Sequence, residues 1–194
     1  MRTIILICIV MVAGSIKAAK QPNFILFITD DISWDDLGCY GSKVAKTPHL
    51  DQMAKEGVLF HGAYLSISSC SPSRCSIISG RYPHNTGAAE LHTELPADQP
   101  VFPEALQVAG YYTAISGKHH MGKVVNRGFD KVSGGKGPSK SADWVPMLQE
   151  RPKDKPFFFW FASSDAHRGW ALNDKAPLYK PEDIEVPPYL YDGP

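Results

Sequence analysis

The sequence predicts an α/β protein whose largely parallel central sheet is flanked by helices. Two continuous apolar runs, residues 23–28 and 156–162, lack the alternation of half-exposed strands, as expected for strands buried on both faces of a parallel sheet. Helix patterns lie between the predicted strands, in the order of β-α-β units with right-handed crossovers. Polar residues follow several of these strands, where ligands bind in open α/β sheets.

Length and composition limit the classes of function. The chain has 194 residues, of which 43% are hydrophobic, which is enough for the core of one domain. Its formal net charge is +0 and no basic cluster stands out, which argues against a nucleic-acid partner.

Residues 1–19 have the layout of a secretory signal peptide. Arg2 precedes an apolar run over residues 4–13, and small residues follow, with cleavage compatible with 13–15 or 17–19. The run is too short for a stable membrane span. A buried first strand is the alternative, which Arg2 and the small residues disfavour. We therefore expect an exported protein that is periplasmic, secreted or lysosomal.

The first predicted strand, residues 23–28, ends at the adjacent carboxylates Asp30 and Asp31. Adjacent acids repel each other and lose hydration at the end of a buried strand, so a bound cation would compensate them. Oxygen ligands favour a hard ion, Ca²⁺ or Mg²⁺. A solvated loop that caps the following turn is the alternative. Residues 47–57 then predict a helix and residues 58–64 a second strand.

The stretch around Cys70 predicts a tight loop that leads into a short helix, with Cys70 just ahead of the helix N-terminus. Pro72 fits the first turn, and Ser71 or Ser73 can cap the free backbone N–H groups. These donors, the helix dipole and the guanidinium of Arg74 favour a tetrahedral anion. The residues predict an anion site with a reactive side chain at its centre. A capped helix beside a structural or disulfide-forming cysteine is the alternative.

Two later predicted strands also end in polar groups. Residues 102–110 predict a helix and 111–116 a strand, which leads into Lys118, His119 and His120. An ordinary basic surface loop is the alternative there. Residues 141–151 predict a short helix disturbed by a proline.

The aromatic run at residues 156–162 predicts a core strand and is followed by Asp165, His167 and Arg168.

These residues resemble one known family. Cys-x-Pro-x-Arg at residues 70–74, followed by Ser-Gly-Arg at 79–81, resembles the signature of the type I sulfatases, formylglycine-dependent members of the alkaline-phosphatase superfamily. Gly-Lys-x-His-x-Gly at 117–122 is similar to the second sulfatase signature, with His119 where the family usually has Trp. Asp-Ala-His-Arg at 165–168 resembles the family's Asp-Pro-His-Arg element. The resemblance implies an alkaline-phosphatase-like sandwich.

The resemblance also implies a nucleophile and a cofactor. A formylglycine-generating enzyme would convert Cys70 to an aldehyde, whose hydrate attacks sulfur through one hydroxyl and expels sulfate through the other. Asp30, Asp31 and the converted Cys70 would bind Ca²⁺ or Mg²⁺. With Cys8 lost in the leader, three cysteines remain, and conversion leaves Cys39 and Cys75 paired or free. A Cys70–Cys75 disulfide is the competing arrangement.

The remaining roles that the resemblance implies concern the substrate. Arg74 and Lys118 would hold the sulfate oxygens, and His120 would orient the aldehyde hydrate. His167 would protonate the leaving group, because imidazole titrates near neutrality.

The expected substrate is a sulfated carbohydrate or an aryl sulfate. The sequence around these motifs resembles the heparan N-sulfatase branch most, against a 6-O-sulfatase or an arylsulfatase. The candidate substrate-binding residues are His84, His92, Asp165 and Arg168. A phosphate or phosphonate monoester hydrolase of the same superfamily is the alternative activity.

The resemblance covers nearly the whole chain but only the first half or less of the family's domain. Family members continue with an Asp-Asn pair for the metal and a further Lys or Arg for the sulfate, and no Asp-Asn dipeptide occurs here. We expect residues 20–194 to be the N-terminal portion of a truncated sulfatase catalytic domain. A non-catalytic fragment is the alternative.

Overall fold

The fold is a parallel sheet with helices on both faces. The computed structural model describes residues 21–169, 179–184, 186 and 191, so the predicted leader at 1–19 lies outside the described residues. Strands β1 to β4 are Phe24–Ile28, Tyr112–Gly117, Lys131–Ser133 and Phe157–Ala162. Helices α1 to α5 are Pro48–Glu56, Cys70–Ser79, Phe102–Val108, Val125–Gly128 and Trp144–Glu150. Short 3₁₀ helices lie at Trp34–Asp36, Gly38–Tyr40, Pro83–Asn85, Gly122–Val124 and Pro181–Asp183.

The four strands form one sheet in the order β1-β4-β2-β3, and every pair is parallel. This confirms the predicted parallel sheet flanked by helices. Within the described ranges, no helix combines the length and apolar character needed to cross a membrane.

Strand β4 is the centre of the core, because neighbours pair with both of its edges and helices cover both of its faces. All six of its residues are buried. Phe158 and Trp160 pack with the cluster that includes Ile78 of α2, while Phe159 packs with Met147 of α5 on the other face. Burying such a side chain stabilises the fold by about 1.5–3 kcal/mol. The predicted core strand is confirmed.

Strand β1 differs from the prediction. The apolar run predicts burial on both faces, but Phe24 is 44% and Phe27 is 51% exposed. The reason is topology: β1 is an edge strand, and β4 is its only paired neighbour among the described residues. An apolar run identifies a strand but does not distinguish a central strand from an edge.

The strand predicted at residues 58–64 is wrong. The structure has turns and irregular backbone there, and the apolar side chains Val58 and Tyr64 are 77% and 90% exposed. A strand requires a hydrogen-bonded neighbour, and none of the described strands pairs with this segment. Helix α2, which contains Cys70, therefore does not follow directly from a second strand.

The helices at 48–56, 102–108 and 144–150 confirm their predicted positions, whereas the short strand β3 is not predicted. Asp143, the N-cap residue of α5, joins β3 to β2. Its buried carboxylate accepts hydrogen bonds from Ser116 at 2.8 Å and Ser133 at 2.5 Å. Burial opposes ionisation, but these hydrogen bonds and backbone donors outweigh it and lower the pKa of Asp143 below its usual value.

Gly117 ends β2 where the chain must pass close to β4. Its φ is +99°, in the left-handed region, and a Cβ atom there would overlap the carbonyl oxygen of Ala162. The next residue, Lys118, donates its N–H to that same oxygen at 2.9 Å. Only glycine allows both the backbone angle and the close approach.

Gly117→Ala is expected to destabilise the chain by about 3 kcal/mol or more, because left-handed strain adds to a backbone overlap. Gly110→Ala is a matched control: its φ is +90°, and nothing lies within 4 Å of an added Cβ. The control should cost about 1–2 kcal/mol from backbone strain alone. Urea unfolding of both variants measures the difference, and equal losses would show that the approach to β4 is not tight.

Candidate active site

The carboxyl ends of β1, β4 and β2 lie side by side at one end of the strands. We call this the carboxyl edge of the sheet, as distinct from the edge strand β1. In the strand register, Ile28 pairs with Ala162, and Ala162 pairs with Gly117. The Ser163 N–H donates to the Ile28 carbonyl at 2.9 Å, which continues the pairing beyond the strands. The residues that follow β1 and β2 are therefore neighbours, as the sequence predicts.

Asp30 is the buried centre of this edge, at 3% exposure. Its carboxylate accepts from Lys118 Nζ and from Arg74 Nη2, the latter at 3.4 Å. Arg74 Nη1 donates to the Lys118 carbonyl at 2.7 Å. Three segments distant in sequence thus meet at one carboxylate, and each charge compensates the desolvation of the others. Burial lowers the pKa of Arg74 from its usual value, which Asp30 opposes, and the guanidinium remains charged.

Backbone hydrogen bonds fix Asp30 in place. Its N–H donates to the Asp165 carbonyl at 3.0 Å, and its own carbonyl accepts from the Ala166 N–H at 2.6 Å. Asp31 is exposed and has φ of 54°, a left-handed conformation that Asp tolerates better than most residues. The chain turns at this point, so adjacent acids have different surroundings.

A cleft of about 570 Å³ opens beside this edge. Its polar lining includes Asp30, Asp31, Cys70 and Arg74, which combine the end of β1 with the first turn of α2. Its apolar lining consists of Phe27, Ile28, Ile32, Leu65 and Ile77. The cleft therefore places a half-buried thiol beside two carboxylates and a guanidinium.

Helix α2 begins at Cys70 itself, with Ser69 as the N-cap residue, and not one position later as the sequence predicts. The capping predicted for Ser71 is also wrong, since its hydroxyl accepts from the His92 N–H at 2.8 Å. No side-chain hydrogen bond from the described residues caps the N-terminus of this helix. First-turn N–H groups without a capping side chain favour an anion at the helix N-terminus.

The three described cysteines, Cys39, Cys70 and Cys75, are all free thiols. The alternative of a Cys70–Cys75 disulfide is therefore wrong. Cys75 is fully buried, and burial raises its pKa to about 11. A thiol of that kind is unreactive, whereas Cys70 is half-buried and lines the cleft.

Two histidines form a pair beside α2. His92 Nδ1 lies 2.8 Å from His120 Nε2. Burial lowers the pKa of His120, and Lys118, His92 and Arg74 lower it further, so its ring is neutral at neutral pH. His119 instead lies 2.7 Å through Nε2 from the Ser133 carbonyl, and burial lowers its pKa. His119 therefore contacts β3, and His120 faces the ionic groups of the site.

The other predicted residues lie nearer the surface. Asp165 joins the site through its backbone, and its carboxylate accepts from Ser139 at 2.6 Å. His167 is exposed, with Nδ1 3.2 Å from the Arg168 carbonyl, and Arg168 is exposed as well. His84 stacks on Tyr82 with ring centroids 6.0 Å apart, and neither ring lines the 570 Å³ cleft.

The described residues do not by themselves fit a divalent cation. Calcium takes 6–8 oxygen ligands. Within the described part of the chain, no group of three or more His, Cys, Asp or Glu side chains is placed to hold a metal. The carboxylate of Asp30 is engaged by Lys118 and Arg74. Asp30, Asp31 and Cys70 share a cleft and remain candidate ligands, but they form an incomplete set.

Comparison with known proteins agrees with this geometry. The sulfatase family model matches residues 22–186. The chain belongs to the sulfatase family. The resemblance to formylglycine-dependent sulfatases of the alkaline-phosphatase superfamily is thereby confirmed. The matched range includes every candidate residue of the site described above.

Individual relatives agree. N-acetylglucosamine-6-O-sulfatase of Bacteroides thetaiotaomicron is 30% identical over 180 residues, covering 79% of this chain and 32% of that protein. Human N-acetylgalactosamine-6-sulfatase is 36% identical over 139 residues, covering 62% of this chain and 27% of that protein. This sulfatase chain therefore spans about a third or less of the length of these relatives.

Solved structures confirm the fold. One, of a protein in complex with its substrate D-glucosamine-2-N,6-O-disulfate, has a TM-score of 0.73 and 31% identity, covering 78% of this chain and 36% of that chain. The phosphonate monoester hydrolase of Agrobacterium radiobacter shares the fold, with a TM-score of 0.64 at 18% identity, covering 76% of this chain and 41% of that chain.

Sequence reasoning missed two groups that hold the site together. The Ser71 hydroxyl accepts from the backbone of residues 92–95, called the His92 loop below, and so links this loop to α2. The Ser139 hydroxyl donates to the carboxylate of Asp165. Neither contact has a signal in the sequence, because each joins segments more than twenty residues apart. Asp143, which was also missed, does have a signal in the sequence, because it is an acid directly ahead of an apolar helix pattern.

Asp30→Asn is expected to destabilise the chain by about 3–5 kcal/mol, because Arg74 and Lys118 would lose their buried counter-charge. Asp31→Asn should change stability by no more than about 0.5 kcal/mol, since Asp31 is exposed and Asn also tolerates its backbone angle. Chemical unfolding of the two neighbouring variants tests this. Equal stability would show that Asp30 does not organise the edge.

Proposed function

We propose that this chain supplies the nucleophile and sulfate-binding part of an enzyme that hydrolyses sulfated carbohydrates, with a formylglycine made from Cys70. The observation that carries the proposal is the arrangement at the sheet edge. Cys70 is the first residue of α2 and lines a cleft together with Arg74 and Asp30. Lys118 donates to the carboxylate of Asp30. Family membership adds that proteins of this kind use a formylglycine and a divalent metal.

Each residue of the arrangement has a physical role in the proposal. Arg74 is held at 3% exposure by Asp30 and the Lys118 carbonyl, so its guanidinium is oriented before a substrate binds. Together with the N-terminus of α2, Arg74 and Lys118 hold the oxygens of the sulfuryl group and stabilise the charge that shifts during transfer. Once Cys70 has become an aldehyde, its hydrate supplies the attacking hydroxyl and a second hydroxyl that expels sulfate.

The remaining site residues act on protons and on the substrate. His120 orients the aldehyde hydrate. His167 is the proposed proton donor to the leaving group: it lies in the segment after β4, two residues beyond Asp165, and its ring is exposed. Asp30, Asp31 and the converted Cys70 would supply part of the ligand set of a divalent cation, Ca²⁺ or Mg²⁺, and such a cation would compensate charge on the sulfate. Asp165, whose carbonyl accepts from the Asp30 N–H, and the exposed Arg168 are the residues of this segment that we propose to contact the sugar.

The relatives support the proposed substrate class. The two relatives described above are named as 6-sulfatases of N-acetylhexosamines, and the solved structure with 31% identity holds D-glucosamine-2-N,6-O-disulfate. We propose a sulfated hexosamine as the substrate, with 6-O-sulfate favoured over the N-sulfate that the sequence resemblance suggests. The layout of residues 1–19 supports export, and the proposed maturation partner is a formylglycine-generating enzyme.

Maturation tests the nucleophile. After co-expression with a formylglycine-generating enzyme, the tryptic peptide that contains Cys70 should carry an aldehyde that reacts with a hydrazide probe. Cys70→Ala should remove the label, and Cys39→Ser, at another partly exposed thiol, should leave it unchanged. An intact Cys70 thiol in a preparation that releases sulfate would overturn the proposed chemistry.

Substrate comparison tests the activity. An enzyme that contains this chain in its matured form should release sulfate from glucosamine 6-O-sulfate, and Cys70→Ala should lower the rate by roughly a thousandfold or more. Faster release from N-sulfoglucosamine would assign the protein to the N-sulfatase branch. Faster cleavage of an aryl phosphate than of an aryl sulfate would contradict a sulfatase.

A further inference from the structure

We propose that His92 is a positioning residue that fixes the ring orientation and the tautomer of His120 in the candidate active site. The sequence suggests His92 as a residue of a sugar pocket, but the structure pairs it with another ring. His92 Nδ1 lies 2.8 Å from His120 Nε2, and the ring centroids are 4.9 Å apart. The proposal rests on the proposed function for its relevance to Cys70, although its test does not require turnover.

The pair is held by rigid parts of the molecule. The His92 N–H donates to the hydroxyl of Ser71, which is fully buried in α2 beside Cys70. The Leu95 N–H donates to the Met121 carbonyl at 3.2 Å, which ties the same loop to the residue after His120. Both ends of the His92 loop are therefore anchored, and the distance between the rings is set by the backbone.

Both histidines have unusual backbone angles. His92 has φ of 66° and His120 has φ of 57°, in the left-handed region that non-glycine residues rarely adopt. Such conformations cost about 1–3 kcal/mol and persist where surrounding contacts determine them. Two left-handed residues that meet ring to ring point to a specific arrangement and not to an incidental contact of two loops.

The contact with His92 controls the protonation of the other ring nitrogen of His120. Nδ1 of His120 is buried and has no hydrogen-bond partner within the described part of the chain. Its state depends on His92, because a single proton lies between the two facing nitrogens. If Nε2 of His120 donates to His92, Nδ1 of the neutral ring is an acceptor; if His92 donates, Nδ1 carries the proton.

The surrounding charges favour one of these arrangements. The groups that act on His120 are Lys118, Arg74, His92 and Asp30, with two cations against one anion. Nε2 faces His92, which can accept or donate the shared proton, whereas Nδ1 is buried with no partner within the described residues. A lone pair on Nδ1 is therefore stabilised by the net positive field, and an N–H there would be opposed by it with no acceptor to compensate. His120 therefore donates from Nε2 to His92 and presents Nδ1 as an acceptor. An acceptor is what a hydroxyl of an aldehyde hydrate at residue 70 requires.

Nitrogen-15 NMR of the 194-residue chain tests this directly. Spectra are recorded above the usual histidine pKa of about 6.5, so that the rings are neutral. We expect wild-type His120 to have protonated Nε2 and unprotonated Nδ1. His92→Phe keeps a ring but removes the acceptor, and should convert this single pattern into a mixture of both tautomers. His92→Asn places an amide oxygen near the position of Nδ1 and should restore the single pattern.

A matched control is His84→Phe, because His84 is an exposed ring that stacks on Tyr82 and not on either ring of the pair. It should leave the His120 signals unchanged. A protonated Nδ1 in the wild type, or an unchanged His120 pattern in His92→Phe, would overturn the proposal. The wild-type measurement decides even if a variant does not fold. Failure of the Cys70 maturation test would remove the function and leave the tautomer result intact.

Discussion

The structure depends on the compensation of one buried charge. Asp30 lies at the end of β1 with 3% exposure, and it is stable there only because Lys118 and Arg74 donate to it. These cations come from the end of β2 and from α2, so the charge joins three elements that are far apart in sequence. The same contacts orient the two cationic side chains. One arrangement therefore both stabilises the carboxyl edge of the sheet and prepares the site to bind an anion.

The backbone makes this arrangement possible at close range. Gly117 lets β2 turn beside β4 without a side chain, and Lys118 continues the hydrogen bonding with Ala162. Asp31, His92 and His120 adopt left-handed angles around the same site. Backbone strain of this kind is common at functional sites, because the reacting groups must be held where regular secondary structure would not place them.

The chain spans a third or less of the length of the relatives described above, and the interactions within it differ from one region to another. The core around β4 is complete on both faces, since α2 and α5 cover it. In contrast, β1 and residues 58–65 expose large apolar side chains, and the carboxylates of the cleft form an incomplete metal-ligand set within the described residues. The catalytic proposal therefore concerns the nucleophile and the two cationic side chains that bind sulfate, Arg74 and Lys118, which this chain supplies itself.

The sequence by itself determined the features that are local. The aromatic run of β4, the proline and glycine limits of α1, and the Cys70 motif each lie within about ten residues, so propensity and spacing are sufficient to predict them. Only the tertiary structure decided that β1 is an edge, that residues 58–64 form no strand, and that His92 faces His120. These outcomes depend on which strands pair and which loops meet, and such contacts join residues whose separation along the chain leaves no pattern in the sequence.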